Sequence, residues 1–204
     1  MSDEFLHKAY GFEDPEQTET FYDDWAKTYD DEVRKNGYLT PGRCADALVS
    51  LDPEKSSPII DLGCGTGLAG LAFKKAGFDI IDGVDFSEGM LAEARSHNLY
   101  RDLWQGDLSV PIETPHGLYA HAIAAGVVNP GHAPPSTIFN ALNVLKPGGV
   151  LVFSLNDHAL ADPAYPGAVN EAVDAGGAEL VFKEYGEHLP GTGLKAEVYA
   201  LRKR

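Results

Sequence analysis

Three acidic residues stand at or near the ends of apolar segments: Asp61 in PIIDL, Asp85 in DIIDGVD and Asp107 in QGDL. Between the first two lies GCGTGLAG, which holds two overlapping glycine patterns. Gly63, Gly65 and Gly67 make G-x-G-x-G, while Gly65, Gly67 and Gly70 make the G-x-G-x-x-G of a dinucleotide loop. A dinucleotide reading sets a pyrophosphate against bare backbone amides at a helix N-terminus. Asp85 follows Gly65 by 20 residues, near where a ribose-binding acid belongs, so distance leaves that reading open. Asp61, two residues before the first of these glycines, separates the two. A carboxylate there opposes a diphosphate and suits a cationic ammonium. Asp85 at the next strand end can bind two ribose hydroxyls, and Asp107 can accept from an adenine amino group. The three acids therefore match a nucleoside carrying an amino acid better than a dinucleotide. Phe86 and Met90 can flank the adenine, with Leu108 on its other face; Met90 is nearly as well read as core. Gly70 is read as allowing helix-to-sheet packing.

These acids need strands to present them, and the flanking pattern supplies strands. Apolar PIIDL is followed by a helix over 67–76, which Gly77 ends. DIIDGVD is a second strand, and Ser87 caps the helix EGMLAEARSHN. LYRDLWQGD reads as a short third strand and GLYAHAIAAGVV as a long buried fourth. PPSTIFNALNVL is a helix stopped by Lys146-Pro147-Gly148-Gly149, VLVFSL is the fifth strand, and a helix runs over roughly 163–175. GAELVFKEYGE and LKAEVYALRK have no helix between them and form an antiparallel hairpin. The expected fold is α/β and Rossmann-like: seven strands, mostly parallel with the last antiparallel, and helices on both faces. Upstream, residues 1–15 read as a loose arm, Thr18 as the N-cap of a first helix, and Pro41 as the start of a second. The expected organisation is an arm and helical cap over 1–56 and a ligand-binding core over 57–204, one domain overall.

Bulk properties narrow the partners. With 31 acidic and 16 basic residues the net charge is −15, which repels phosphate backbones and argues against nucleic acid. No apolar run approaches the roughly 20 residues of a membrane span, and the acidic N-terminus is unlike a secretory signal. Cys44 and Cys64 have no metal spacing and read as free thiols of a reducing cytoplasm.

The same blocks resemble the class I S-adenosylmethionine-dependent methyltransferases. IIDLGCGTG resembles their first motif, GVDFSEGML their second-strand motif, QGDL the stretch after strand three, and LKPGGVLVFS the entry to strand five. Together these span about residues 57–155. YDDWAKTYDDEV plus GYLTP is similar, further, to a methyltransferase-like group named after the Williams–Beuren syndrome chromosomal region. The resemblance implies S-adenosylmethionine as cofactor, held by Asp61, Gly63, Cys64, Gly65 and Gly67, then Asp85, Phe86 and Met90, then Asp107 and Leu108. Tyr22, Trp25 and Tyr29 lie one turn apart on the first helix. Such a stripe is core by default; the resemblance favours a lid that sets Trp25 and Tyr29 near the sulfonium. Arg43 reads equally as a partner for the methionine carboxylate or as structural. Strand four departs from the pattern, since Ala120 stands after Tyr119 where an aspartate is frequent.

Methyl transfer from a sulfonium is an in-line displacement, accelerated by alignment and removal of water. A general base is required only when the acceptor must lose a proton. Acceptor-facing residues are expected after strands four and five: His132 and His158 as the chemical candidates, with Tyr22, Asn129 and Asn156 toward substrate. His121 reads as a satisfied core histidine, and His188 carries no signal. The expected protein is a cytoplasmic methyltransferase acting on a small molecule. The rival is a non-catalytic S-adenosylmethionine or S-adenosylhomocysteine sensor or activator subunit. It calls for a closed acceptor cavity or no polar group near the methyl carbon. A nicotinamide oxidoreductase is a third reading.

Overall fold

The apolar PIIDL segment becomes the central strand β1 (Ile59–Leu62), buried at all four positions, as a strand covered on both faces must be. The structure is a computed structural model describing residues 15–204, and in its first helix the side chains of residues 21, 25, 26 and 28 onward. Of the arm expected over 1–15, residues 1–14 lie outside the described residues and Pro15 already belongs to the first helix. Around β1 stand β2 (Ile81–Asp85), β3 (Asp102–Gln105), β4 (Tyr119–Ala124) and β5 (Leu145–Asn156), then β6 (Ala178–Leu189) and β7 (Leu194–Lys203). They form one seven-stranded sheet in the order β3-β2-β1-β4-β5-β7-β6. The pairs among β1 to β5 are parallel, and β7 inserts antiparallel between β5 and β6. The strand order reverses between β1 and β4, and ligands of such sheets bind beyond the strand ends at that switch point.

Two helices precede the sheet, α1 (Pro15–Lys35) and α2 (Thr40–Val49), and α3 (Leu68–Lys75) follows β1. The chain continues with α4 (Glu88–Ser96), α5 (Thr137–Asn143), α6 (Asp157–Ala161) and α7 (Ala164–Asp174). One face of the sheet packs Ile60, Leu62 and Phe153 against α5 and α7. The other packs Ile59, Ile81 and Val152 against Leu48 of α2 and Phe73 of α3. Helix α1 packs on α4 and, through Trp25 and Val33, against Leu189 at the end of β6.

Several boundaries depart from the sequence reading. Helix α1 begins at Pro15, so Thr18 is inside it rather than its N-cap; proline is tolerated in a first turn, whose N–H groups have no helical acceptor. The fourth strand stops at Ala124, and Gly126 (φ +76°) turns the chain where extended backbone was expected. Lys146 to Gly149 do not merely stop α5. They bulge out within β5, whose pairing with β4 shifts between Tyr119 and His121. Helix α6 was not foreseen. Gly77 ends α3 as expected, through bonds from the Gly77 N–H to Lys74 and the Phe78 N–H to Phe73.

Candidate functional site

The turn from β1 into α3 is built on left-handed backbone. Gly63, Gly65 and Gly67 have φ of +69°, +53° and +101°, values that penalise any side chain. A Cβ at Gly63 would also stand 2.4 Å from Val127 Cγ2. The turn is tied down by its neighbour strand: Asp85 accepts from the Gly65 N–H at 2.8 Å and from the Ser87 N–H at 3.0 Å. Ser87 in turn caps α4 by accepting from the Met90 N–H at 3.0 Å, as its sequence position foretold. Thr66 donates to Asp30, which attaches the cap helix α1 to the same turn.

Above this turn lies a cavity of about 380 Å³. Its size falls within the roughly 300–1,000 Å³ typical of small-molecule sites. Of the predicted cofactor residues, Gly63, Cys64, Gly65, Asp85, Phe86 and Met90 line it, as do Asp107, Leu108 and Tyr29. Asp107 is exposed, two residues beyond β3, and its carboxylate accepts from the Ser109 N–H at 2.7 Å and the Ser109 hydroxyl at 2.8 Å. The Leu108 carbonyl accepts from Asn140 at 3.0 Å and Thr137 at 3.2 Å, which anchors that loop to α5.

Asp61, Gly67 and Trp25 do not line the cavity. Trp25 is buried behind Tyr29, edge-on with ring centroids 4.7 Å apart, so it supports the cap rather than facing a ligand. The Tyr22 side chain lies outside the described residues. Asp61 is fully buried, and its Oδ2 accepts from the Tyr100 hydroxyl at 2.8 Å. Burial raises its pKa to about 7, with the Tyr100 hydrogen bond opposing and Asp85 adding to the rise. Tyr100 also explains Gly70: a Cβ there would stand 2.3 Å from the tyrosine hydroxyl. Gly70 thus makes way for a side chain, which sharpens the expected reason of helix-to-sheet packing. Arg43 is structural. Its guanidinium donates to the carbonyls of Glu187, Ala196 and Glu184 at 2.9–3.0 Å, pinning α2 to the β6–β7 hairpin.

On the β4 side, Asn129 and His132 line the cavity. Burial lowers the His132 pKa to about 4, so its imidazole is neutral at physiological pH. Asn156 and His158 do not line it. β5 ends at Asn156, whose side chain turns back to cap α6 by accepting from the Ala159 N–H at 3.0 Å, and α6 carries His158 out to solvent. The acceptor-side expectation for these two residues is corrected accordingly. His121 is corrected as well: its Nδ1 is buried with no hydrogen-bond partner among the described residues, and its ring packs on Phe78.

Sequence reasoning missed three tyrosines and a histidine. Tyr38 lines the cavity and donates to the Ala125 carbonyl at 3.3 Å; it sits in the GYLTP block already singled out, so that signal was in hand. Tyr165 lines the cavity from α7, and neither it nor Tyr100 has a local signature. His188 backs Tyr38 edge-on at 5.2 Å and pairs its Nδ1 with the Thr40 hydroxyl at 2.6 Å.

A family described as "Methyltransferase domain" matches residues 59–149, from β1 to the bulge of β5. Human methyltransferase-like protein 27 is 35% identical over 149 residues, covering 72% of this chain and 60% of that protein. It is a Williams–Beuren region methyltransferase-like protein, in line with the narrower resemblance. The 18S rRNA (guanine(1575)-N(7))-methyltransferase of Saccharomyces cerevisiae is 34% identical over 82 residues, covering 40% of this chain and 30% of the enzyme. The chain thus spans less than two thirds of the length of these curated relatives. Magnesium protoporphyrin IX methyltransferase from Synechocystis PCC 6803, solved with bound S-adenosylmethionine, superposes with a TM-score of 0.61 at 16% identity, over 98% of this chain and 90% of that one. The family match falls on the glycine turn and the acidic strand ends, and the superposition extends across the sheet and cap. Over residues 59–149 the chain matches the methyltransferase-domain family, and its fold is that of the S-adenosylmethionine-dependent methyltransferases solved with their cofactor.

Proposed function

We propose that this chain transfers the methyl group of S-adenosylmethionine to a small, uncharged acceptor. One observation carries the reading: a single cavity is lined by Asp85 and Asp107 from the β2–β3 side and by Asn129 and His132 from the β4 side. The first pair suits a nucleoside, the second a separate polar reactant. When bound, the cofactor supplies an electrophilic methyl on a cationic sulfur. Asp85 accepts from the ribose hydroxyls, Asp107 from the adenine amino group, and Phe86 and Met90 give the base apolar surfaces.

Tyr29 and Tyr38 close over the turn from the cap and keep water from the reacting centre, where alignment and desolvation supply much of the acceleration. His132, held neutral by burial, hydrogen-bonds the acceptor and is too weak a base to strip a reluctant proton. That favours a nucleophile whose lone pair is available before attack. Among the described residues no lysine or arginine lines the cavity, so an anionic acceptor would be buried without a counter-charge. Polar Asn129 and His132 in the cavity favour an enzyme over a sensor, which has no use for them. Free, buried Cys44 and Cys64 fit a reducing compartment, and we place the protein in the cytoplasm.

The test is S-adenosylhomocysteine release by the full chain across neutral, anionic and cationic small molecules. RNA and ribosomal protein are included, because the yeast relative is named for rRNA. Release with neutral small molecules is expected. Release that requires RNA or protein overturns the small-molecule assignment. Failure to bind S-adenosylhomocysteine in calorimetry overturns the donor site.

A further inference from the structure

Three glycines leave room for one ring. A Cβ at Gly70 would stand 2.3 Å from the Tyr100 hydroxyl, one at Gly67 3.3 Å from Tyr100 Cε2, and one at Gly83 3.1 Å from Tyr100 Cδ1. Gly67 and Gly70 belong to the start of α3 and Gly83 to β2, so the ring threads between helix and sheet. At the end of this slot the Tyr100 hydroxyl donates to Asp61 Oδ2 at 2.8 Å. The other carboxylate oxygen, Oδ1, is buried with no hydrogen-bond partner among the described residues. Nothing in the methyl-transfer reading uses Tyr100, yet two glycines of the cofactor turn region are shaped around it.

We propose that Tyr100 is a positioning residue for donor binding: its hydroxyl holds a buried negative charge on Asp61 behind the glycine turn, toward the donor's cationic ammonium. This rests on the cavity being the donor site. Asp61 stands two residues before Gly63 and outside the cavity lining, so it acts through the turn and not by contact. A carboxylate stripped of water needs donors to stay ionised. The Tyr100 phenol is the stronger of those facing Asp61, with the Gly70 N–H adding a smaller effect. The titratable groups facing Asp61 are Tyr100, Asp85, Cys64 and, from α2, Cys44. Both thiols are pushed up by burial and stay neutral, so Tyr100 stabilises the charge while Asp85 opposes it. The balance lies close to neutral pH, and loss of one hydroxyl tips it toward the protonated acid.

The experiment is calorimetric binding of S-adenosylhomocysteine to the full chain and to Tyr100→Phe, Asp61→Asn and the double variant. Tyr100→Phe keeps the ring in its slot and is expected to bind about tenfold more weakly at about pH 7, the worth of one charge-assisted hydrogen bond. The deficit should shrink by about pH 8.5, where Asp61 ionises without help. In the Asp61→Asn background the same change should cost nothing further. Equal binding by Tyr100→Phe at about pH 7, or an equal loss in the Asp61→Asn background, overturns the proposal. Should Tyr100→Phe fail to fold, Asp61→Asn carries the test: the wild-type chain should tighten between about pH 6 and about pH 8 while the Asp61→Asn variant stays flat. A flat wild-type profile overturns the proposal. A wild-type chain that binds no S-adenosylhomocysteine overturns the donor-site reading, and this inference with it.

Discussion

Asp85 and Gly65 are joined by a 2.8 Å hydrogen bond from the glycine N–H to the carboxylate. The residue proposed to hold the donor's ribose therefore also fixes the turn proposed to hold its amino-acid end. Asp85→Ala removes both functions at once. S-adenosylhomocysteine binding should weaken by about 100-fold, the combined loss of charge-assisted bonds to ribose and of turn order. Calorimetry on the folded variant checks this, and unchanged affinity would remove Asp85 from the site.

His132 and His158 separate by location. His132→Ala should lower turnover at least about tenfold while donor affinity stays within about twofold, because it lies on the β4 side of the cavity. His158→Ala should change neither, since that residue is exposed on α6. Steady-state kinetics beside calorimetry distinguishes the two.

Arg43 donates to three carbonyls that join α2 to the closing hairpin. Arg43→Met should destabilise the chain by about 2–3 kcal/mol, chiefly by leaving carbonyls unpaired. Donor affinity of the folded fraction should be preserved. Urea unfolding measures the first and calorimetry the second. A large loss of affinity with normal stability would return Arg43 to the site.

Stability should fall on mild acidification. Burial lowers the pKa of His121, His132 and His188 from 6.5 to about 4. The unfolded chain then binds more protons between those values, so this stability is complete above about pH 6.5 and is lost as pH falls toward 4. Each buried histidine contributes up to about 3 kcal/mol in this way. Asp61 acts oppositely: its pKa rises from 3.8 to about 7, so it favours the folded state below 3.8 and loses that effect as pH rises through 7. Three histidines outweigh one carboxyl, and urea midpoints should drop between about pH 7 and about pH 4.5. Asp61→Asn should steepen the drop. A midpoint constant over that range contradicts the assignment.

The sheet, its inserted last strand and the glycine turn were legible because their signals are local. Strand runs, the Ser87 cap and the Gly77 stop each depend on a few neighbouring residues, as does the left-handed backbone of Gly63, Gly65 and Gly67. Asp85 was legible for the same reason, since a strand end fixes where its last side chain emerges; Asp107, two residues beyond β3, lines the same cavity. Errors fell where a side chain answered to a distant partner or to an element too short to show a period. Asn156 caps a helix too short to announce itself, and so His158 leaves the cavity. Trp25 shares a face with Tyr29, but only packing against Leu189 decides which ring is buried and which lines the site.

The sequence by itself determined the order of the elements and the turn chemistry, because periodicity, capping and glycine conformation act over one or two helical turns. Tertiary structure decided which polar atoms face the cavity. Tyr100 meets Asp61 across 39 residues, and His188 meets Thr40 across 148. No local pattern encodes such pairings; they follow from the sheet order that sets β3 two strands from β1, and from the packing of α2 on the β6–β7 hairpin. Asp61 shows the division most clearly. Its place before the glycines is read from the sequence, while its burial and its bond to Tyr100 come only from the fold.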